Sequence, residues 1–193
     1  EIRTTVQKEG KINFEIGDKV RISMDPSIEG THDKIAVTYP GLYDDTHVGG
    51  HVLFGDGLID MVIDEKDDAN KELVCHVLNH GVLGTRKGVN APGVSINLPG
   101  ITEKDSSDIR FGLENKINYI AASFVRKAQD VLDIRELLKE KNMEDVQIFP
   151  KIESQEGIDN FEEIIAVSDG LMVPRGDMGV EIPAQNVPIV QKH

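Results

Sequence analysis

The spacing of apolar residues changes once along this chain of 193 residues, and that change constrains the fold more than any other feature. From residue 4 to about residue 88, apolar and polar residues alternate in short runs, as in β-strands with one buried face. After the segment LGTRKGVNAPG, compact apolar runs alternate with stretches of helical spacing. The chain is therefore expected to contain two parts built in different ways.

The first part is predicted to be an all-β small barrel or sandwich. Its alternating runs recur at intervals of roughly ten residues, with turn-rich pieces between them. The runs are KINFEI, KVRISM, KIAVTYP, HVLFG, LIDMVID and ELVCHVLN. The segment EIGDKV favours a hairpin between the first two runs. Cys75, the single cysteine, is expected to be a core residue of the last run, and no internal disulfide is possible.

The second part is predicted to be α/β. Three strands, KINYIAASFV, VQIFPKIE and DGLMVPRGD, recur about every 27 residues and alternate with helical spacing. The first helix carries Val131, Ile134, Leu137 and Leu138; the second carries Ile158, Phe161, Ile164 and Ile165; a third is expected to begin near Ala184. This alternation indicates right-handed βαβ units and a parallel sheet. A complete (β/α)8 TIM barrel needs about 250 residues, so the three units of this part are too few to close one.

The composition narrows the classes of partner. Hydrophobic residues make up 39% and charged residues 28%, as expected for a soluble globular protein. The net charge of −13 disfavours nucleic acid and anionic membranes as partners, so a phosphate ligand requires a local cationic pocket or a divalent metal. The start of the chain, EIRTTVQKEG, lacks signal-peptide character, and one cysteine fits a reducing compartment, so a cytoplasmic location is expected.

Charged residues follow two predicted neighbouring strands at the end where parallel α/β sheets bind ligands. Lys151 and Glu153 are two residues apart, so they are expected to project from the same face, and Asp177 at the end of the next strand is expected to face Glu153. Two carboxylates can hold Mg²⁺, and a lysine can stabilise a transferring phosphoryl group or an enolate. A Lys–Glu ion pair and a helix-capping aspartate are the alternative.

Five other residues are weaker candidates for ligand contacts or special turns. Gly176 would let a backbone N–H approach an anion closely and Gly179 would permit a tight turn, although both could be simple turn glycines. Asp56 is expected in a turn. Arg86 and Lys87 form a basic pair at the junction of the two parts, where a nucleotide could be clamped.

Seven motifs occur in the order and spacing found in pyruvate kinases. They are EIRT, GDGLI, RKGVN, LPGITEKD, AASFVRKAQDV, KIESQEG and SDGLMVPRGDMGVEIP. The chain therefore resembles the pyruvate kinase family over essentially its whole length. It departs from the family pattern at Pro174, where alanine is common, at Gly55, where an aspartate often stands, and at Ala91, where leucine is usual.

The resemblance implies a fold and a reaction. Residues 1–4 would end a barrel strand, residues 5–88 would form the mobile B domain, or lid, and residues 89–193 would form strands four to six of the family's barrel. The chain starts within a strand and stops within a helix, so it is expected to be an internal piece. The implied reaction is phosphoryl transfer from phosphoenolpyruvate to ADP, giving pyruvate and ATP in glycolysis.

The resemblance also implies roles for individual residues. Lys151 resembles the lysine that steadies the phosphoryl group and the enolate, and Glu153 and Asp177 resemble the ligands of Mg²⁺ (or Mn²⁺). Gly176, with Lys151 and Asp177, is expected at the substrate. The family's K⁺ is expected as a second cofactor, with ligands outside this chain.

The nucleotide side is implied by three further residues, Arg3, Lys87 and Asp56, which are expected to contact ADP or ATP. Gly55 weakens the assignment of Asp56. The parent enzyme is expected to be a homotetramer. The fragment is expected to expose two open barrel edges, which favour self-association.

Three other functions are alternatives to a pyruvate kinase fragment. An adhesion module that displays Arg175-Gly176-Asp177 requires a secreted protein and an exposed loop, and the apolar run LMV and the absent signal peptide argue against it. A different barrel enzyme with a similar lysine and carboxylate site would lack the all-β insertion followed by RKGVN. The chain could also be only a folding unit with no function in isolation, which is compatible with membership of the pyruvate kinase family.

The chain alone is expected to have no kinase turnover. By the resemblance, residues that bind K⁺ and part of the phosphoenolpyruvate site lie before Glu1, and a threonine implicated in enolate protonation lies beyond His193. A coupled assay that produces lactate measures this on the purified chain, and more than trace activity would contradict the expectation.

Overall fold

The computed structural model describes residues 1–192 and divides into two compact units, Glu1–Leu98 and Pro99–His193. The first unit contains β1 (Ile2–Arg3), β2 (Lys11–Phe14), β3 (Lys19–Ser23), β4 (Lys34–Ala36), α1 (Leu42–Asp45), β5 (His51–Phe54), β6 (Ile59–Asp67), β7 (Glu72–Val77), β8 (Gly81–Gly84) and β9 (Gly88–Asn90). The second contains α2 (Glu103–Glu114), β10 (Tyr119–Ala122), α3 (Ala128–Glu140), β11 (Gln147–Pro150), α4 (Gln155–Asp159), α5 (Phe161–Ala166), α6 (Arg175–Glu181) and α7 (Val187–Lys192).

The first unit is built from a seven-stranded sheet and a two-stranded sheet. The larger sheet has the order β1-β9-β5-β6-β7-β3-β4, antiparallel except between β3 and β4, and the smaller pairs β2 with β8. Each of the six predicted runs contains a strand. Their alternation buries one face, so that Val20, Ile22, Met61 and Ile63 are almost fully excluded from water. Strands β8 and β9 and the single helical turn α1 were not predicted.

The predicted hairpin at EIGDKV is wrong, although the turn itself forms. The Glu15 N–H donates to Asp18 Oδ2 over 2.8 Å, and Gly17 has a φ of 88°, which suits a glycine. The strands on either side then pair elsewhere, β2 with β8 and β3 with β7 and β4. Partners distant in sequence therefore replace the local pairing that the turn chemistry favoured.

The first unit continues past residue 88, where the sequence placed the end of the β-rich part. Strand β9 pairs with both β1 and β5, so it belongs to the larger sheet. Beyond it, Val94, Ile96 and Leu98 pack against the core of the same unit. The apolar side chains of this segment explain why the compact unit extends to Leu98.

Cys75 lies in the core of the first unit with no exposed surface. Burial, with a smaller contribution from the charge of Asp64, raises the pKa of its thiol to about 12. At neutral pH the thiol stays protonated and packs as a small apolar side chain. The sequence prediction of a core cysteine is confirmed.

The second unit contains the parallel strand pair and helices of a partial barrel. Strands β10 and β11 run parallel in register from Tyr119 opposite Gln147 to Ala122 opposite Pro150.

Helix α3 follows β10 and buries Val131, Ile134 and Leu138, as its spacing predicted. Helix α2, with its Thr102–Asp105 capping box, was not predicted. Where one helix was expected after β11, the chain forms two, α4 and α5, on either side of Asn160.

The third predicted strand of this unit is wrong. Among residues 1–192, a single bridge between Lys151 and Met172 extends the parallel pairing. Pro174 lacks the N–H that a ladder needs, and it becomes the N-cap residue of α6. Residues 175–177 therefore form the first turn of a helix instead of the end of a strand. Within residues 1–192, no helix has the length and apolar character needed to cross a membrane.

Asp169 ties helix α3 to strand β11. Its Oδ2 accepts a hydrogen bond from the Ile148 N–H and another from Arg135 Nη2, both over 2.8 Å. Burial raises the pKa of this carboxyl, but the Ile148 N–H and the Arg135 guanidinium together outweigh burial and leave the pKa lowered. The ionised carboxylate is thus the form that the fold favours.

We expect Asp169→Asn to lower the free energy of unfolding at pH 7 by about 1.5 kcal/mol, the contribution of hydrogen bonds to a charged group. A lowered folded-state pKa gives stability that is present above the unfolded value of 3.8 and is lost as the pH falls through the folded value. Urea unfolding at several pH values should therefore show the difference from wild type shrinking below that pH. Asp159→Asn, at an exposed carboxylate bonded by Gln155, is the control with little effect. A difference that stays constant from neutral to acid pH would contradict the expectation.

Candidate functional site

The predicted site residues Lys151 and Glu153 lie at the carboxyl end of the parallel strand pair. Lys151 directly follows β11 and donates its N–H to the Ala122 carbonyl over 2.8 Å. Glu153 comes two residues later, just before Ser154, which caps helix α4. The strand period of two places both side chains on the same side, as the sequence predicted.

Lys151 and Glu153 form an ion pair of 2.8 Å between Nζ and Oε1. The Glu153 side chain is 1% exposed and the Lys151 side chain 22%. Lys151 Nζ also donates to Ser123 Oγ over 3.1 Å, so the neighbouring strand end contributes to the same cluster. The Lys151 ammonium is therefore partly exposed, whereas the Glu153 carboxylate that pairs with it is buried.

The second oxygen of Glu153 accepts a hydrogen bond from the Phe124 backbone N–H over 2.6 Å. Both carboxylate oxygens therefore have a donor, as burial of a charge requires. The sequence analysis missed this contact, because it involves a backbone group at a residue with a positive φ of 53°. Nothing in the residue type of Phe124 indicates that conformation.

Asp177 and Gly176 lie in the first turn of α6, where both are exposed. The Asp177 carboxylate makes no hydrogen bond or ion pair with Lys151 or Glu153 among residues 1–192, and the expectation that Asp177 ends a strand is wrong. Apart from the chain neighbours and the backbone of α6, no heavy atom of residues 1–192 lies within 4 Å of the position that a Cβ on Gly176 or on Gly179 would take. Gly179 lies within α6, so it forms no separate tight turn. In the Lys151–Met172 bridge, Met172 lies three residues before Arg175, the first residue of α6.

The predicted nucleotide residues gather at one edge of the first unit. Arg3 on β1 pairs with Gly88 on β9, next to Lys87, whose carbonyl accepts the Thr4 N–H over 2.8 Å. The Gly55 N–H donates to the Gly88 carbonyl over 3.0 Å. Backbone pairing thus brings residues from three distant segments of the sequence into one neighbourhood.

The side chains at this edge carry opposite charges. Arg3 donates from Nη1 to the Arg86 carbonyl over 3.0 Å and from Nη2 to the Glu1 carboxylate. Asp56, with a φ of 60°, places Oδ1 3.7 Å from where a Cβ on Gly88 would lie. Lys87 is exposed. The cations Arg3 and Lys87 at this exposed edge could attract an anionic ligand. A side chain at position 88 would occupy the space between the carboxylates of Glu1 and Asp56.

The second unit contains the sequence candidates Glu153 and Asp177, two carboxylates of the chemical type that a magnesium ion takes. Mg²⁺ typically takes one or two protein carboxylates and completes its shell with water and substrate phosphate oxygens. Glu153 and Asp177 supply two such carboxylates. In the described part of the chain no three His, Cys, Asp or Glu side chains form a complete metal site. An ion here would thus depend on ligands beyond the protein carboxylates.

Comparison with known proteins gives a consistent family. A family model described as "Pyruvate kinase, barrel domain" matches residues 1–193. A pyruvate kinase of Lactobacillus delbrueckii subsp. bulgaricus is 66% identical over 192 residues, which cover 100% of this chain and 33% of the relative. Pyruvate kinases of Staphylococcus aureus (strain MRSA252) and Bacillus licheniformis are each 56% identical over all of this chain, and it covers 32% and 33% of them. The chain spans about a third of the length of these relatives.

We expect Lys151→Met to lower the free energy of unfolding by about 3 kcal/mol, because it leaves a buried carboxylate without its cation. Urea unfolding measures this loss. Replacing Glu153 by Met as well should recover most of it, since a buried pair exchanged for apolar residues is often neutral.

Lys104→Met is the matched control for this prediction. Lys104 pairs with Asp108 on the exposed face of α2, where a salt bridge contributes about 0.5 kcal/mol or less. Equal losses for Lys104→Met and Lys151→Met would mean that the buried pair has no special role in stability.

Proposed function

Because the chain belongs to the pyruvate kinase family, we propose that it carries part of the active site for phosphoryl transfer from phosphoenolpyruvate to ADP, giving pyruvate and ATP in glycolysis. In this reaction the bond between phosphorus and the enol oxygen breaks, and a bond to a terminal oxygen of ADP forms. The released enolate then takes up a proton to become pyruvate. Both steps need positive charge close to the transferring group.

The observation that supports this proposal most strongly is the Lys151–Glu153 pair at the carboxyl end of the β10–β11 pair. An ammonium group has three N–H donors. Two of them are directed to Glu153 and Ser123, which leaves one for a ligand, and the Lys151 side chain is 22% exposed. The pair fixes the position of the ammonium, so that Lys151 stabilises charge on the phosphoryl and enolate oxygens without having to be ordered first.

The carboxylates have a different role. Glu153 and Asp177 would hold Mg²⁺ or Mn²⁺, which neutralises phosphate oxygens when it is bound. The Gly176 backbone, in the first turn of α6, would contact the substrate together with Lys151 and Asp177. A K⁺ ion is expected as well, with ligands outside this chain.

The nucleotide would bind at the edge of the first unit. Arg3 and Lys87 would contact the phosphates of ADP or ATP, and Asp56 would lie close to the nucleotide. The division expected from the sequence, with residues 5–88 as a mobile lid and residues 89–193 as barrel strands four to six, moves in this proposal to the boundary between the two compact units. The β-rich first unit would carry the lid, and the second unit, with β10 and β11, would be part of a (β/α)8 barrel. The complete enzyme would be a cytoplasmic homotetramer.

Titration with Mn²⁺, followed by water-proton relaxation, tests the proposed metal ligands. We expect Glu153→Gln and Asp177→Asn each to weaken binding by at least about tenfold, because affinity follows the charge of the ligands. Asp108→Asn removes the same charge from the exposed face of α2 and controls for general attraction to a chain of net charge −13. Identical weak binding in all four proteins would contradict the assignment.

Turnover is tested in a complete enzyme. The matching third of the Lactobacillus delbrueckii pyruvate kinase is replaced by this chain, and kcat is measured with and without Lys151→Met. A fall of about 10²–10³-fold is expected for the loss of one positioned stabilising group. A hybrid without activity, or one indifferent to Lys151→Met, would contradict the proposed role.

A further inference from the structure

Phe124 lies in the left-handed region of backbone conformation, with a φ of 53°. Within the described chain, the other non-glycine residues in this region are polar or charged: Asp56, Lys71, Arg86, Lys116 and Asn142. A bulky aromatic residue is costly there, because its Cβ crowds the backbone. Such a conformation persists only where the surroundings impose it, and it is often found at functional sites.

The loop of residues 123–127, which joins β10 to α3, is held from several directions. Asn160 Nδ2 donates to the Arg126 carbonyl over 2.8 Å, and the Arg126 N–H donates to Asp130 Oδ2 over 2.9 Å. The Phe124 N–H donates to Glu153 Oε2 over 2.6 Å. Helix α3, the residue between α4 and α5, and the segment after β11 thus hold the loop at Arg126 and Phe124.

Close packing of α4 against the loop leaves little room for an alternative. A Cβ on Gly157 would lie 2.7 Å from the Val125 carbonyl oxygen, nearer than real contacts allow. With Val125 and Arg126 fixed in this way, the φ of Phe124 decides where the peptide plane before it points. The left-handed value turns the Phe124 N–H toward the buried carboxylate.

We propose that Phe124 is a positioning residue, whose left-handed backbone orients the Glu153 carboxylate for metal binding. The proposal rests on the proposed function, in which Glu153 is a metal ligand. Lys151 holds one oxygen and the Phe124 N–H holds the other, so the plane of the carboxylate is fixed. Each oxygen keeps a second lone pair for a metal ion.

The benefit of this arrangement is preorganisation. A ligand that is already oriented loses less freedom when the metal arrives, and hydrogen bonds to a ligand carboxylate are typically worth about 10- to 100-fold in metal affinity. Because a backbone N–H makes this contact, the side chain at position 124 acts only through the conformation it permits. Replacements should therefore be ranked by their tolerance of the left-handed region.

Two replacements separate conformation from packing. Phe124→Asn and Phe124→Val both remove the ring, but Asn adopts the left-handed region readily and a β-branched residue does not. In Mn²⁺ titrations of the chain, Phe124→Val should weaken binding by about tenfold, whereas Phe124→Asn should stay within about threefold of wild type. Lys116→Val controls for backbone strain elsewhere, since Lys116 has a φ of 58° on the exposed surface beyond α2.

Amide hydrogen exchange at position 124, measured without metal, provides an independent readout. The amide should be protected in the wild type and in Phe124→Asn, and it should exchange faster in Phe124→Val and in Glu153→Ala. Lys116→Val should change neither this protection nor the Mn²⁺ affinity.

The possible failures are distinguishable. Equal Mn²⁺ affinity and equal protection in Phe124→Asn and Phe124→Val would overturn the positioning role, as would an equal loss in both or a similar loss in Lys116→Val. If Glu153→Gln binds Mn²⁺ as the wild type does, the proposed metal function fails. Hydrogen exchange then still decides whether Phe124 positions the carboxylate.

Discussion

Glu153 loses almost all contact with water in the folded chain, and a buried carboxylate must be paired and hydrogen-bonded if it is to stay charged. The second unit meets this requirement with groups from two strand ends. Lys151 follows β11, and the Phe124 N–H and the Ser123 hydroxyl that Lys151 contacts follow β10. The parallel pairing of these strands is what brings the three groups together, because it aligns their carboxyl ends. Lys151 and the Phe124 N–H each satisfy one oxygen of this buried carboxylate, so both contacts stabilise its charged form.

The same arrangement bears on the alternative of a plain structural ion pair. A lysine and a glutamate two residues apart could pair with no other purpose, and the distance between them is that of an ordinary salt bridge. Here, however, Glu153 is buried, and Phe124, whose N–H bonds to it, has a left-handed backbone conformation that is costly for an aromatic residue. Buried pairs are often no better for stability than apolar residues. A role of Lys151 and Glu153 in ligand binding would explain why the chain keeps a buried ion pair that contributes little more to stability than apolar residues would, and the family match is consistent with that role.

Much of the architecture could be predicted from local patterns, and the errors share a physical cause. Alternation identified the six runs that contain strands of the first unit, and helical spacing identified α3, because both patterns follow directly from which face is buried. The EIGDKV hairpin failed because its strands pair with partners far along the chain. The third strand of the second unit failed at Pro174, whose missing N–H ends the pairing and starts a helix. At the site, the period of two predicted that Lys151 and Glu153 lie together. The Phe124 contact depends on a backbone angle that tertiary packing imposes, so no sequence pattern could reveal it.

We propose that the buried Glu153 carboxylate is a preorganised ligand for a divalent metal ion that Asp177 also binds. Crystals of the chain grown with Mn²⁺ and diffracted at the manganese absorption edge test it directly, because the anomalous signal locates the ion without assumptions about its ligands. We expect an anomalous peak about 2.0–2.2 Å from an oxygen of each carboxylate, close to the distances of Mg²⁺ sites, with the Phe124 N–H still bound to Glu153. A peak bound only by other surface carboxylates, with Lys151 and Glu153 paired as before, would contradict it.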